Sequence, residues 1–300
     1  MAIHNEIILN AWVSSDPKVV TDDEGAVIRA SCPLVSLRGL RSHGDKFRHL
    51  QLDTILLSSQ KPEDAKMIGS LVKGDIIEVK GVISSKNVMK VRRCKECGDK
   101  IATPGTIMYV QPIYMEKREG KVPEDVFPKI LKKRGEISNH VISIGTLCRD
   151  PEINFTMESV PITQYPLAID RKYRIKEDPV DERTDYIWVK SFGKQADKDF
   201  QTLKVGASVF IDGALQTRDV EREEHCEKCG CHFIWRDTAV EIVPYEIEYL
   251  QGYNTPEEAD EKKGNAVAKH SSLLKQGMDD DLETVKSTKD TEEDTDNEHI

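Results

Sequence analysis

The chain has 300 residues, of which 38% are hydrophobic, and it carries a formal net charge of −10. This length suggests two domains plus additional segments. The sequence contains neither an apolar run long enough to span a membrane nor a signal-peptide pattern, so we expect a cytoplasmic protein without a membrane partner.

The negative charge is concentrated near the end of the chain. Residues 255–300 carry 14 acidic and 6 basic side chains, a net charge of −8, which leaves about −2 for the rest. A near-neutral body excludes binding to nucleic acid through an overall positive field, so any such binding has to rest on local patches.

The first predicted domain, residues 1–118, recurs in altered form later in the chain. Asn5 and the residues after it echo Asn139 and those after it, at a separation of 134. Seven further pairs lie 132 apart, with Gly74, Gly81, Cys94, Cys97, Gly98, Thr106 and Pro112 matching Gly206, Gly213, Cys226, Cys229, Gly230, Thr238 and Pro244. The chain is therefore an internal duplication, whose second copy occupies 138–252.

A basic, glycine-punctuated loop interrupts the first copy between its second and third strands. Its cations are Arg38, Arg41, Lys46 and Arg48. The loop either binds phosphates or is a solvated hairpin loop, and the sequence favours neither alternative.

Residues 119–137 join the two copies. The segment is charged and contains Pro123 and Pro128. We expect a short helix from Glu124 to Lys133 inside a linker that acts as a spacer.

In the second copy, residues 184–192 alternate with period two, as in a half-buried strand. Tyr186, Trp188, Lys190 and Phe192 share one face, whereas Ile187 and Val189 supply the core face. A buried lysine without a partner would be costly. The aromatic face is therefore better suited to unstacked bases than to a core.

The second copy resembles the bacterial single-stranded DNA-binding protein family. The matching motifs are Ile144–Glu152, Pro166–Arg171, the strand just described and Gly213–Arg218. The resemblance implies an all-β chain of two tandem OB-fold Greek-key barrels. It implies stacking of bases on Tyr173, Tyr186 and Phe192. The alternation of the strand adds Trp188 to this set. The family has another stacking aromatic further along, and Val220 stands at that position here.

Phosphate contacts in the second copy are expected from cations close to these aromatics. The candidates are Arg149, Arg171, Lys172, Arg174, Lys190, Lys194 and Arg218. In the first copy, Thr54, Leu56 and Gln60 stand where the second has Tyr186, Trp188 and Phe192, so we expect no equivalent platform there.

Two CxxC pairs recur at the duplication offset, in hairpins between the last two strands of each copy. They are Cys94 with Cys97 and Cys226 with Cys229, each followed by glycine. Two thiolates in such a turn suit one zinc ion, but a structural site needs four ligands. The sequence leaves three alternatives open: one shared four-cysteine zinc site, pairing of each turn with another chain, or empty turns.

The last predicted segment, 253–300, is acid-rich and poor in aromatics, and we expect it to be disordered. The family resemblance implies an acidic tail that recruits replication or repair proteins, although the tip-like run from Met278 to Leu282 is internal here. A merely solubilising tail is the alternative.

Together these features predict a non-catalytic protein that binds single-stranded DNA without strong sequence preference during replication, recombination and repair. The family usually presents four OB domains per assembly, which implies a homodimer of this chain. The alternative is a zinc-stabilised OB-fold adaptor that binds proteins instead of DNA.

Overall fold

The computed structural model describes residues 4–38, 51–171 and 184–272. The first copy forms a barrel in which β1 pairs with both β3 and β5, and β4 runs parallel to β6. This is the strand order of an OB fold. Its elements are β1 (His4–Val13), β2 (Lys18–Thr21), β3 (Val27–Leu37), β4 (Leu52–Ser59), α1 (Pro62–Gly69), β5 (Ile76–Arg93) and β6 (Lys100–Glu119).

The second copy repeats this order, with β10 parallel to β12 and β7 closing onto β9 and β11. The predicted tandem OB-fold architecture is thereby confirmed. Between the copies lies α2 (Phe127–Arg134). The second copy comprises β7 (Asn139–Leu147), β8 (Glu152–Phe155), β9 (Pro161–Asp170), β10 (Thr184–Phe192), α3 (Gly193–Thr202), β11 (Ser208–His225) and β12 (His232–Gln251).

The two barrels join through their first strands. β1 and β7 pair antiparallel, Leu9 opposite Asn139 and Asn5 opposite Ser143. At the offset of 134, Asn5 corresponds to Asn139 and Leu9 to Ser143, so the pairing is reciprocal, as in a two-fold symmetric dimer. It fuses the strands of both barrels into one twelve-stranded sheet.

A duplicated asparagine fixes each first strand to its neighbour. The Asn5 side chain donates to Ile83 O and accepts from Ile83 N, both at 2.9 Å. Asn139 makes the same pair of bonds to Leu215, at 2.7 and 3.0 Å. Because both amides are buried, these bonds satisfy groups that would otherwise be costly.

The core consists of inward-facing aliphatic side chains from alternate strand positions. Ile7 and Leu9 of the first copy and Val141 and Leu167 of the second belong to one contiguous buried cluster. Hydrophobic burial therefore stabilises the two barrels as one unit.

The segment between the copies packs onto the first barrel. Phe127, at the start of α2, stacks on Trp12 with ring centroids 4.4 Å apart. Trp12 Nε1 also donates to Val122 O at 2.9 Å. The aromatic stack and this bond hold the connection against the barrel.

Two β-ribbons extend from the barrels. We call residues 86–107 of β5 and β6 arm 1, and residues 218–239 of β11 and β12 arm 2. Strand pairing continues to their tips, where Arg93 lies opposite Lys100 and His225 opposite His232. The CxxC turns are at these tips.

The chain forms a further helix, α4, over 256–272. Lys269 Nζ donates to Asn154 Oδ1 at 3.0 Å and to Ile153 O, and His270 lies 4.4 Å from Phe155, centroid to centroid. The prediction of disorder from residue 253 is therefore wrong for 256–272, because composition does not reveal contacts with a strand edge. The rest of the predicted tail lies outside the described residues. Within the described ranges, no helix is both long and apolar enough to cross a membrane.

Candidate nucleic-acid interface and metal centre

Strand β10 has the predicted alternation. Ile187 and Val189 are buried in the barrel, whereas Trp188 and Lys190 lie half-buried on the outer face. Tyr186 is 60% exposed. Phe192 continues the outer face at the end of the strand, so three aromatic rings follow one another along it.

The neighbouring strand places small side chains beside two of these rings. On β9, Ala168 lies opposite Tyr186 and Pro166 lies opposite Trp188. The third ring, that of Phe192, lies opposite the larger Ile162. The outer face of β9 and β10 is therefore a shallow platform with room for flat ligands.

Cations lie over or beside the platform. The guanidinium of Arg149 is 5.2 Å from the centroid of the Trp188 ring, and Lys190 Nζ is 6.0 Å from that of Phe192. Both separations are in the range of cation–π attraction. Partial burial lowers the pKa of Lys190, an effect opposed by the nearby Glu241 carboxylate.

Two other predicted cations lie around the platform. Lys194 is exposed in the first turn of α3. Arg218, at the base of arm 2, is held by Glu241 through bonds of 2.7 Å from Nη2 and 3.1 Å from Nε to Oε1. Glu241 pairs in register with Trp188, so this ion pair borders the aromatic face.

Arg171 is not a surface cation, which corrects its prediction as a phosphate contact. Its side chain is 5% exposed, and Nε lies 2.6 Å from Oδ2 of the fully buried Asp185. Sequence reasoning missed this pairing because the partner is 14 residues away, on the inward side of another strand.

Arg38 of the first copy also pairs with a buried aspartate. Its Nε lies 3.0 Å from Asp53 Oδ2, and its other nitrogens donate to the side chains of Gln51 and Gln216. Burial raises the pKa of Asp53, although Arg38 acts against that shift. Arg38 therefore stabilises the inter-barrel contact, which corrects its prediction as a phosphate contact.

Each of these buried aspartates reaches into the opposite copy. Asp53 accepts a bond of 2.7 Å from Thr217 N, and Asp185 accepts one of 2.7 Å from Ser85 N. Ser85 Oγ also accepts a 3.0 Å bond from Tyr186 N. The first copy thus holds the backbone of the strand that carries the aromatic face. The sequence signal for these contacts was the duplication itself, because the offset of 132 relates Asp53 to Asp185 and Ser85 to Thr217.

The first copy lacks an equivalent aromatic row. Thr54 is exposed, and Leu56 and Gln60 are half-buried at the corresponding positions of the first barrel. The remaining predicted site residues lie outside the described residues: Arg41, Lys46, Arg48, Lys172, Tyr173 and Arg174.

The four predicted cysteines come together at the arm tips. The sulfurs of Cys94, Cys97, Cys226 and Cys229 all lie within 4.8 Å of one another. Two pairs that cross between the arms, Cys94 with Cys229 and Cys97 with Cys226, are 3.7 Å apart. The shared site is therefore the alternative that the structure supports.

The local backbone explains how each turn directs both its sulfurs. Gly98 N donates to Cys94 O at 3.0 Å, and Gly230 N donates to Cys226 O at 2.8 Å. Both glycines have a positive φ, 71° and 73°, which favours glycine over other residues. Each CxxC turn therefore ends in a tight left-handed residue.

A fifth sulfur borders the cluster. Cys231 Sγ lies 3.2 Å from Cys94 Sγ. Hydrogen bonds from the Cys97 backbone and the Cys231 thiol lower the pKa of Cys94 to about 6. A thiolate at that position suits a bound cation. Cys231 belongs to neither CxxC pair, so the spacing of the cysteines did not place it in the cluster.

Polar contacts bring the arms together below the cysteines. Lys90 Nζ lies 2.7 Å from Asp237 Oδ1, and the Arg92 guanidinium stacks over the Trp235 ring. Partial burial acts to raise the pKa of Asp237, but Lys90 holds it below its usual range. The two ribbons thus face each other along their length.

Comparison with known proteins identifies relatives of the second copy. The model of the Single-strand binding protein family matches residues 138–240. The single-stranded DNA-binding protein 1 of Staphylococcus aureus strain MSSA476 is 31% identical over 117 residues, 39% of this chain and 68% of that protein. The single-stranded DNA-binding protein of Clostridium tetani is 32% identical over the same length and is covered to 72%.

The structural similarity extends over both copies. The wild-type single-stranded DNA binding protein from Thermus aquaticus superposes with a TM-score of 0.53, covering 85% of this chain and 97% of that one. At 17% sequence identity this similarity concerns the fold alone.

Proposed function

The chain belongs to the single-strand binding protein family, and from this premise we propose that it binds single-stranded DNA without strong sequence preference. The observation that carries the proposal is the open row of Tyr186, Trp188 and Phe192 on the second barrel. Every base has a flat face, so stacking on such a row tolerates any sequence.

The phosphates are expected to follow the cations that border this row. Arg149, Lys190 and Lys194 are retained as contacts, and Arg218 contributes in part because Glu241 neutralises it. We also retain Tyr173, Lys172 and Arg174, and the loop cations Arg41, Lys46 and Arg48, as proposals from the sequence. Arg171 and Arg38 are not retained, since buried carboxylates hold them.

The four-cysteine cluster is proposed to hold one structural zinc ion. Sulfurs 3.7 Å apart match the edge of a tetrahedron with Zn–S bonds of about 2.3 Å, which is about 3.8 Å long. Cys94 and Cys97 from arm 1, with Cys226 and Cys229 from arm 2, would supply the thiolates. A bound ion would fix the tips of the arms to each other and leave the barrels, which have their own core, largely unaffected.

The proposed role is protection of exposed strands during replication, recombination and repair, without catalysis. A homodimer would present four OB domains, and the acidic end of the chain would recruit other proteins. Neither the fold nor the relatives favour the alternative of a protein-binding adaptor, so we do not retain it.

Fluorescence anisotropy with labelled oligo-dT tests the proposal. The parent should bind the oligomer and prefer it to duplex of equal length. Tyr186→Ala and Phe192→Ala should each weaken binding by about 1–3 kcal/mol. Tyr253→Ala, which removes a similarly exposed tyrosine beyond the platform, is the matched control. Parent-like binding by both platform variants would refute the stacking assignment.

A further inference from the structure

Arm 1 has an outer face that no described part of the chain covers. Alternate positions of its two strands are exposed, with Met89 opposite Pro104 and Val91 opposite Ala102. Met89 and Val91 are each 59% exposed. Four apolar side chains thus lie together on one exposed face, the kind of surface that a partner can cover.

Cations border this patch on the side of the tip. Arg93 and Lys100 lie opposite each other next to Val91 and Ala102, and both are exposed. The paired positions from Asn87–Thr106 to Arg93–Lys100 include no acidic residue, and the nearest carboxylates are those of Glu96 and Asp99 in the turn beyond them. The outer face of arm 1 is therefore apolar with a positive end.

The corresponding face of arm 2 has the opposite charge. At the offset of 132, Met89 and Val91 are replaced by Glu221 and Glu223, and Asp219 precedes them. All three carboxylates are exposed, and the paired positions from Asp219–Thr238 to His225–His232 contain two arginines. Arg222 contacts Asp237 on the other face, and Arg236 lies 4.0 Å from Glu221, so the outer face keeps an excess of two negative charges. Two copies of one ribbon have thus diverged into complementary surfaces.

These two faces cannot meet within one chain. The arms contact each other through their other faces, where Lys90 pairs with Asp237 and Arg92 stacks on Trp235. Because successive side chains of a strand point to opposite sides, the outer faces point away from each other. The four cysteines meet at the tips on this same side, between the two arms.

We propose that the outer face of arm 1 in one molecule docks on the outer face of arm 2 in a second copy. Arg93 and Lys100 would meet Glu221 and Glu223, and charge complementarity of this kind fixes register and selects partners. A second copy is favoured over DNA because the patch is aliphatic and offers no ring for base stacking.

The contact joins two different surfaces, so it is heterologous and leaves a free face at each end. It therefore differs from the closed homodimer and allows head-to-tail chains of molecules. On a long single strand this contact would make binding cooperative, a consequence that rests on the proposed function. The contact itself does not depend on DNA.

Two charge-reversal variants test the contact in solution. R93E/K100E has two acidic outer faces, and E221K/E223K has two basic outer faces. Sedimentation velocity of the full chain at low ionic strength, without DNA, should show concentration-dependent association of the parent beyond a dimer. Each variant alone should associate roughly ten-fold more weakly or worse, since like charges would face each other.

A 1:1 mixture of the two variants should restore association, because each acidic face then finds a basic one. K18E/K61E, which reverses two exposed lysines remote from the arms, should behave like the parent. A parent that does not exceed a dimer, variants that associate like the parent, or a mixture that stays dissociated would each overturn the proposal.

Binding of an oligo-dT too short for two molecules separates this contact from a DNA contact. R93E/K100E should bind it within about two-fold of K18E/K61E. A selective loss of affinity together with parent-like sedimentation would assign the face to DNA and overturn the proposal. If no variant and no parent binds the oligomer, the proposed function fails while the sedimentation result still stands on its own.

Discussion

Substituting Glu241 with glutamine should strengthen binding to single-stranded DNA. Glu241 neutralises Arg218 beside the aromatic row, and it pairs in register with Trp188. The Arg218 side chain is 39% exposed and that of Glu241 is 8% exposed. Because Arg218 reaches solvent, losing the carboxylate does not leave it as a buried unpaired charge, and the glutamine oxygen can still accept its bond.

The magnitude follows from one additional free cation at the platform. One more phosphate contact on a single strand adds about −0.7 to the slope of log K against log salt. The advantage of Glu241→Gln over the parent should therefore shrink about three-fold between 50 and 200 mM salt. At low salt, an attraction of about 0.5–1 kcal/mol corresponds to a gain of roughly two- to five-fold.

Anisotropy titrations with oligo-dT across that salt range measure both quantities. Glu246→Gln is the matched control, because it removes an exposed carboxylate from the same strand, near Asp212 and away from the aromatic face. An unchanged slope with unchanged affinity, or the same gain in the control, would refute the placement of DNA beside Arg218.

Three further outcomes follow from the arms and the end of the chain. Cys94→Ser should abolish binding of zinc, measured by atomic absorption after gel filtration, whereas Cys231→Ser should retain about one ion per chain; equal loss would place Cys231 among the ligands. The depressed pKa of Asp237 means that its ion pair with Lys90 stabilises the fold above the ordinary aspartate pKa and is lost as pH falls through the lower folded value. Urea unfolding should show Asp237→Asn costing about 1 kcal/mol at pH 7 and less at pH 3; equal costs would contradict this. Deleting 273–300, which carries ten acidic and three basic side chains, should raise affinity for oligo-dT at low salt and leave the melting temperature unchanged; unaltered affinity there would refute competition between tail and phosphates.

The duplication made much of this architecture predictable from the sequence. Matching residues at a fixed offset identify two similar barrels, and the alternation around Trp188 identifies an outward aromatic row. The meeting of the CxxC turns was one of three alternatives, because it depends on how the barrels are joined. The reciprocal pairing of β1 with β7 decides it by bringing Cys94 and Cys226 together.

The roles of individual cations were not predictable. Arg171 and Arg149 look alike in sequence, yet one lies in a buried ion pair and the other over a tryptophan ring. The difference arises from Asp185, which occupies an inward position usually taken by an apolar side chain. The helix over 256–272 escaped prediction for a similar reason, since a polar segment is ordered by contacts at the edge of β8.

Quenching of Trp188 fluorescence by oligo-dT tests the central claim most directly. In a protein with Trp12→Phe and Trp235→Phe, the remaining indole lies in the middle of the proposed platform. Its emission should fall as bases stack on it, and the quenching should saturate at the same oligomer concentration as the anisotropy of the labelled DNA. Saturating anisotropy with unchanged Trp188 emission would contradict the proposal, because the DNA would then bind elsewhere on the protein.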